Sequence, residues 1–326
     1  MQPVPKFSII IPVYNRPEEL RELLESLARQ TYTNFEVLVV DDGSTVRSDE
    51  VVQQFSDKLH IQYLFKPNSG PGPSRNLGFE HARGEYFVVF DSDCIVPAHY
   101  LEVVNQALHK DPFDAWGGPD QGHPSFTPLQ QAMAFTMSAG VTTGGIRGSG
   151  HEKNFQPRSF NMGISRKVWE ATGGFRFSRL AEDIELSIRM RKAGFRIALI
   201  KDAFVYHKRR TTLSQFFRQV ANFGRGRVQV AVAHAGAIKA VHWLPALFLA
   251  GLTGMLVMLI FDRALFAIAF ILLMMFLITV AWKAFTTTSS LAVALLSVPA
   301  TLVQLTGYGY GFLTEWVKSY ILNRRG

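Results

Sequence analysis

One cysteine, Cys94, is present among 326 residues, so no internal disulfide can form and the fold must hold without one. Met1 to Pro5 carries no apolar core of a secretory leader, and Phe7 to Val13 is too short for one and runs into Tyr-Asn-Arg-Pro. The first part of the chain is therefore expected in the reducing cytoplasm. The turn after the first apolar run, Pro12-Val-Tyr-Asn-Arg-Pro17, has no glycine. That excludes the Gly-x-Gly-x-x-Gly cradle with which ordinary dinucleotide folds hold a pyrophosphate. Charge is missing from one region only. The 34 Lys and Arg and 26 Asp and Glu crowd the first 240 residues and nearly vanish after them. The net charge of +8 suits a partner that carries phosphates. Nucleic acid is disfavoured, because the basic residues cluster beside apolar segments rather than among exposed aromatics.

Before that boundary, strand and helix patterns alternate. Lys6–Ile11, Phe35–Val40, Ile61–Phe65 and Tyr86–Phe90 are short runs rich in β-branched and aromatic residues. A helix opens at Pro17 with Glu18 and Glu19 in its first turn and Leu20, Leu23, Leu24 and Leu27 on one face. A second is expected from Ser74 to Ala82, after the loop Asn68–Pro73. The alternation predicts an α/β fold with a mostly parallel sheet. A helix after Pro97, strands near Asp114–Gly118 and Phe160–Ile164, helices at Lys167–Thr172 and Glu182–Ala193, and edge strands at Phe195–Ile200 and Phe204–Tyr206 complete the domain. Residues 119–150, rich in Gly, Ser, Thr and Pro, read as a long loop.

Two of the strands end in acids, Asp41-Asp42 and Asp91-Ser-Asp93. Carboxylates are costly in an apolar core, so the strands must stop where these begin. In an open α/β sheet that end is where ligands bind. Asp-x-Asp can hold a hard divalent cation against a substrate's phosphates, although Asp and Ser also make plain turns. Glu182-Asp183 opens a helix after the long loop. It reads either as a first turn stabilised by the helix dipole or as a proton acceptor folded back onto the sheet.

After Tyr206 the character changes. His207-Lys-Arg-Arg210, Arg218, Arg225, Arg227 and Lys239 form a basic stretch, within which Leu213, Phe216, Phe217, Val220 and Phe223 keep helical spacing. Such a helix suits the plane of a membrane interface, or else is a positive flank that orients the apolar segments after it. Trp243–Phe261 and Ala264–Trp282 are uncharged runs of 19 residues, and Leu291–Leu313 is a third, softened by Gln304 and three glycines. Nineteen helical residues reach about 28 Å, close to the hydrocarbon thickness of a bilayer. The chain thus divides into residues 1–207, a basic amphipathic segment 208–240, and an all-α membrane region 241–326. The basic flank should be cytoplasmic. Three crossings would then leave Lys318, Arg324 and Arg325 outside, against the positive-inside rule, unless the third segment is re-entrant or split.

Five stretches, in order, resemble the family 2 glycosyltransferases of GT-A fold: Ser8-Ile-Ile-Ile-Pro-Val-Tyr-Asn15, Glu36-Val-Leu-Val-Val-Asp-Asp-Gly-Ser-Thr45, Gly72-Pro-Ser-Arg-Asn-Leu-Gly78, Arg83–Asp93, and Gly173-Gly-Phe with Glu182-Asp-Ile-Glu-Leu186. The resemblance implies an inverting transfer from a nucleotide-diphospho-sugar, with Mg²⁺ or Mn²⁺ held by Asp93 and Asp91. Pro12, Tyr14, Asn15, Asp41, Asp42 and Arg75 would lie on the nucleotide-sugar side. Asp183, with Glu182 beside it, would be the general base. Asn161, His207, Arg225 and Arg227 would face the acceptor or phosphates. Processive synthases of the family carry Gln-x-x-Arg-Trp; the nearest match, Gln219-Val-Ala-Asn-Phe223, lacks the Trp. That favours single addition to a membrane-held, polyprenyl-linked acceptor in cell-envelope or exopolysaccharide synthesis, at the inner membrane. A processive synthase and a catalytically silent scaffold of the same fold are the alternatives.

Overall fold

The computed structural model describes residues 4–122, 126–144, 155–208 and 210–322. They fall into two compact units, Met1–His123 with His151–Lys208, and Pro124–Gly150 with Arg209–Gly326. In chain order the elements are β1 (Phe7–Val13), α1 (Pro17–Leu27), β2 (Phe35–Asp41), α2 (Asp49–Gln53), β3 (Ile61–Phe65), α3 (Pro71–His81), β4 (Tyr86–Phe90), β5 (Cys94–Ile95) and α4 (Tyr100–Lys110). Next come β6 (Ala115–Gly117), β7 (Asp120–Gln121), α5 (Pro128–Ser138), α6 (Gly140–Thr143), β8 (Asn161–Ser165), α7 (Arg166–Thr172), α8 (Glu182–Lys192), β9 (Ile197–Leu199) and β10 (Val205–His207). The chain ends in α9 (Leu213–Ala233), α10 (Leu244–Phe261), α11 (Arg263–Thr288) and α12 (Leu291–Val317).

In the first unit a seven-stranded sheet runs β3-β2-β1-β4-β8-β6-β9. Its β1–β2, β2–β3, β1–β4 and β6–β9 pairs are parallel, while β8 is antiparallel to β4 and β6. Successive side chains of a strand point to opposite faces, and here both faces are covered. Ile9, Ile11, Val37, Val39, Val88 and Phe90 pack against Leu20, Leu24, Leu101 and Val104 of α1 and α4. Ile10, Leu38, Phe87 and Val89 meet Phe79 of α3 and Leu186 and Met190 of α8. This is why the strands read as unbroken apolar runs. A three-stranded sheet, β5-β10-β7, sits beside it in the same unit.

Several details depart from expectation. The second helix begins at Pro71 rather than Ser74, because proline at the first helical turn needs no donor. Phe204–Tyr206 was expected at an edge; β10 is instead the middle strand of the small sheet. The stretch 119–150 was expected as a loop, yet it contains α5. Thr127 and Gln130 cap that helix reciprocally, and Pro128 occupies its first turn.

In the second unit α12 is the hub. Phe216 and Val220 of α9, read as a lipid-facing stripe, are buried with Met133 and Met137 of α5 and Ala300 of α12. Phe135 of α5 joins Val280, Ala284 and Ala294 of α11 and α12. Three glycines set the spacing. A Cβ on Gly311 would lie 1.9 Å from the Ala221 carbonyl oxygen, on Gly307 2.7 Å from Val220, and on Gly309 2.4 Å from the Pro245 oxygen. Gly311→Ala is therefore expected to force α9 off α12 and cost about 1–3 kcal/mol, read as a lower thermal midpoint in detergent. Gly251→Ala, whose Cβ would meet nothing within 4 Å, should be neutral or slightly stabilising. Equal effects of the two would refute the packing argument.

The helices α10 and α11 form a hairpin capped at its tip by Asp262, whose Oδ1 accepts from the amides of Ala264 (3.0 Å) and Leu265 (3.1 Å). Three helices, Ala240–Phe261, Arg263–Thr288 and Leu291–Leu322, are long and apolar enough to cross a membrane.

Candidate active site

The parallel strands β1, β2 and β4 end side by side, and each delivers polar groups to that edge. Val13 pairs in register with Asp41, the last residue of β2. Asp41 is fully buried; its Oδ1 accepts from the Ser44 amide (2.8 Å) and its Oδ2 from the Tyr63 hydroxyl (2.6 Å). Burial, and then that bond to Asp41, push the Tyr63 phenol up to about 12, so it remains a donor. The Asp42 carboxylate accepts from Lys66 Nζ and from the amides of Ser69 (2.9 Å) and Gly70 (2.8 Å). Burial alone would raise its pKa; the Lys66 ammonium and the two amides outweigh it and hold the carboxyl below the usual range. Gly70 has φ of 102°, and a Cβ there would lie 2.5 Å from the Ser178 oxygen. The loop before α3 can thus turn its amides onto Asp42 only because residue 70 has no side chain.

Asn15 also takes a left-handed φ of 53°. Its Oδ1 accepts from Thr45 N (2.8 Å), Thr45 Oγ1 (3.0 Å) and Val46 N (3.0 Å), which ties the turn after β1 to the turn after β2. Pro12 lies within β1 opposite Val40, and Tyr14 beyond it is exposed.

Arg75 joins two of the acid pairs. Its side chain is 2 % exposed; Nη2 donates to Asp91 Oδ1 (2.7 Å) and Nη1 to Glu182 Oε1 (2.8 Å), while its guanidinium sits 5.2 Å from the Phe175 ring centre. Burial opposes the charge, but Asp91 and Glu182 outweigh it and keep the group protonated. Asn76, one residue on, clamps the Phe175 backbone through both amide atoms at 2.8 Å. For Glu182, burial first and the charge of Asp183 after it raise the pKa against the pull of Arg75.

Ala181, in the left-handed region at φ 56°, starts α8 and separates the fates of its first two residues. Glu182 turns inward to Arg75. Asp183 stays less enclosed, with Arg158 Nη1 at 3.6 Å, the Ser159 amide at 3.4 Å, and its own Oδ1 on the Ile184 amide at 2.7 Å. Ser159 lies two residues before Asn161, which pairs with Phe90, the residue before Asp91. Asp183 is therefore brought to the same end of β4 as the Asp-x-Asp.

Asp93 is buried between two basic side chains: Arg16 Nη1 donates to Oδ2 (2.8 Å), and His207 Nε2 is 3.1 Å from Oδ1. His207 stacks on Phe160 with ring centres 4.7 Å apart. Donor atoms of Asp93, Cys94 and His207 lie within 4.8 Å of one another. Burial raises the Cys94 thiol well above its usual range, so it stays neutral and a weak ligand. Asp91, expected beside Asp93, has Oδ1 hydrogen-bonded to Arg75 Nη2.

Two other groups of expected site residues lie as follows. Asn161, placed on the acceptor side, is fully buried; its Oδ1 accepts from Tyr100 (2.6 Å) and its Nδ2 donates to Ala203 O (2.9 Å), so its amide is spent inside the core. Arg225 and Arg227 belong to α9 in the second unit, where Arg225 Nη1 donates to Asn222 (2.9 Å). The sequence reading passed over Arg16, Lys66 and Arg158. Arg16 follows the first motif and Lys66 follows β3 by one residue, Arg158 precedes β8, and only the fold shows which acid each serves.

The layered sheet with acids at the carboxyl ends of its strands is the GT-A fold. Among solved structures it resembles a mannosyltransferase from Pyrobaculum calidifontis, PcManGT in complex with GDP-Man and Mn²⁺, with a TM-score of 0.61 and 16% identity over 98% of this chain and 89% of that one. It also resembles residues 1–349 of Staphylococcus aureus TarS in complex with UDP-GlcNAc, with a TM-score of 0.53 and 21% identity over 97% of this chain and 93% of that one. The chain belongs to glycosyl transferase family 2, whose profile matches residues 8–172. Curated relatives include the glycosyltransferase GlyA of Streptococcus pneumoniae serotype 4, 40% identical over 104 residues, and an uncharacterized glycosyltransferase of Rickettsia felis, 39% identical over 108 residues. These matches cover 32% and 33% of this chain and only 15% and 18% of the relatives' own lengths.

Proposed function

We propose that the chain is an inverting glycosyltransferase that moves a sugar from a nucleotide-diphospho-sugar to a membrane-held acceptor, with a divalent cation at Asp93. The observation that carries this is the convergence of Asp42, Asp91, Asp93 and Glu182-Asp183 on one end of β1, β2 and β4, with Arg75 bonded to two of them. A carboxylate oxygen and an imidazole nitrogen 3.1 Å apart fit two neighbouring ligands of one cation. At bond lengths of about 2.1 Å, adjacent octahedral ligands stand about 3 Å apart. Asp93 and His207 would hold a cation there, which would supply charge to balance that gained by the departing nucleotide diphosphate. Asp42 and Asp41 order the turns that receive the nucleotide, and Asn15 locks those turns together. Arg75 holds Asp91 and Glu182 in place. Asp183, the least enclosed acid of its pair, accepts the proton of the incoming hydroxyl as the new glycosidic bond forms.

The GDP-Man and Mn²⁺ of PcManGT and the UDP-GlcNAc of TarS make those ligands the first to try. The test is nucleotide release from a panel of UDP-, GDP- and dTDP-sugars in membranes, with Mn²⁺ and with EDTA. Release is expected from one donor class, dependent on the cation and absent in Asp93→Ala. Release at full rate in EDTA would overturn the cation assignment, and no binding of any donor by calorimetry would overturn the enzyme assignment.

A further inference from the structure

The helices α10, α11 and α12 are each long and apolar enough to span a bilayer, yet their contacts do not describe three parallel rods. In the hairpin, Phe248 and Phe276 meet with ring centres 6.1 Å apart, and both stand fourteen residues from the tip at Asp262. The two helices are therefore antiparallel and level, with residue 244 at the height of residue 280. The hub helix α12 touches them at two points on itself. Near its start, Ala294 shares a cluster with Val280 and Ala284 of α11. Farther along, a Cβ on Gly309 would lie 2.4 Å from the Pro245 oxygen, and Phe312 packs edge-on against Trp243 of the adjoining turn at 4.8 Å.

On the hairpin these contact points differ in height by only a turn or two. On α12 the residues 294 and 309 are about 22 Å apart at 1.5 Å per residue. A rod packed along α11 would have carried Gly309 far toward the tip. The geometry is met only if α12 crosses the base of the hairpin at a steep angle. Helix α9 lies alongside it, from Phe216 near Ala300, through Ala221 at Gly311, to Val228 near Phe312.

Burial and charge agree. Outside its base the hairpin is largely uncovered, with only 6% and 11% of its two apolar windows buried against 39% for the third, and Ile260 and Phe261 at its tip are 79% and 78% exposed. Only the hairpin has the all-round apolar surface of a segment immersed in lipid. Along α12 the exposed Leu295, Tyr310 and Val317 share one side with the half-buried Leu302 and Leu313; the opposite side is covered by α9 and α5. Such one-sided helices lie in the interface, where Tyr is favoured. Lys239, Lys283, Lys318, Arg324 and Arg325 all fall outside the tip, which carries only Arg263.

We propose that the chain crosses the bilayer twice, through α10 and α11 alone. Helix α12, with α9 beside it, lies along the membrane surface with its Leu295–Val317 stripe against the acyl chains. Two crossings return Lys318 and the residues after it to the side of residues 4–208, which satisfies the positive-inside rule that three crossings would break.

Single cysteines at Val46, Arg263 and Lys318, in sealed vesicles of both orientations, test this with a membrane-impermeant maleimide; the native Cys94 is 1% exposed and stays silent. Val46→Cys and Lys318→Cys are expected to label from one side and Arg263→Cys from the other. Labelling of Lys318→Cys together with Arg263→Cys would overturn the proposal. Nitroxides on Leu295→Cys, Leu302→Cys and Leu313→Cys provide a second measurement that does not need sealed vesicles. Equal, shallow depths are expected. A Leu302 site deep in the hydrocarbon with Leu295 and Leu313 nearer opposite surfaces would show a third span.

Discussion

Asp183→Asn is expected to lower kcat for sugar transfer about 10²–10⁴-fold, the range found when a positioned proton acceptor is removed. Donor affinity by calorimetry should change no more than about threefold. The asymmetry of the Glu182-Asp183 pair carries this expectation. Glu182 is pulled into the core by Arg75, whereas the nearest partners of Asp183 beyond its own turn stand at 3.4 and 3.6 Å. A carboxylate held that loosely keeps a lone pair to offer. The amide of Asn fills the same space without accepting a proton, so a small effect on kcat would assign the base elsewhere.

Arg75→Met should destabilise the first unit by about 3–5 kcal/mol, because it strands a buried carboxylate that has lost its counter-charge. The penalty should depend on pH. Glu182 has a folded-state pKa above its ordinary 4.5. Such a group favours the folded state below 4.5 and loses that advantage as pH rises through the folded value. Without Arg75 the folded value rises further, since burial and Asp183 then act on it without that counter-charge. The variant is thus expected to be most impaired near pH 8 and to recover toward pH 4, measured by denaturant unfolding in detergent. The double variant Arg75→Met with Glu182→Gln should recover much of the loss at pH 8. A pH-independent penalty, unrelieved by that second change, would mean that packing against Phe175 rather than charge explains the role of Arg75.

How much of this could be read from the chain alone depended on whether the determinant was local. The β4 strand has the bounds expected of it, Tyr86–Phe90, because Asp91 ends it by desolvation, a property of that residue itself. The parallel sheet followed from alternation, and the hairpin tip falls between the two uncharged 19-residue runs. Helix α5 was hidden because Ser, Thr and Gly around it read as loop, although Thr127 and Gln130 carry a capping signature. The small sheet was illegible: β5 and β7 are two residues each, too short for any periodicity. In the site the acids were legible and their partners were not. Arg16 serves Asp93 across 77 positions and Arg75 serves Glu182 across 107, and no spacing rule reaches so far. Asn161 and His207 show the same limit in opposite directions. The first looked like a ligand and is a core amide; the second sat in a basic run and stands beside Asp93.

The glycines of α12 have a consequence for the solvent this bundle tolerates. Where Gly311 meets α9 and Gly309 meets α10, main chain touches main chain, with no large side chain between. Cohesion of that kind draws on dispersion and close dipoles and not on the expulsion of water. It should hold equally well with hydrocarbon on one flank and an aqueous phase on the other. A helix seated at the boundary between two media needs an adhesive that works in both.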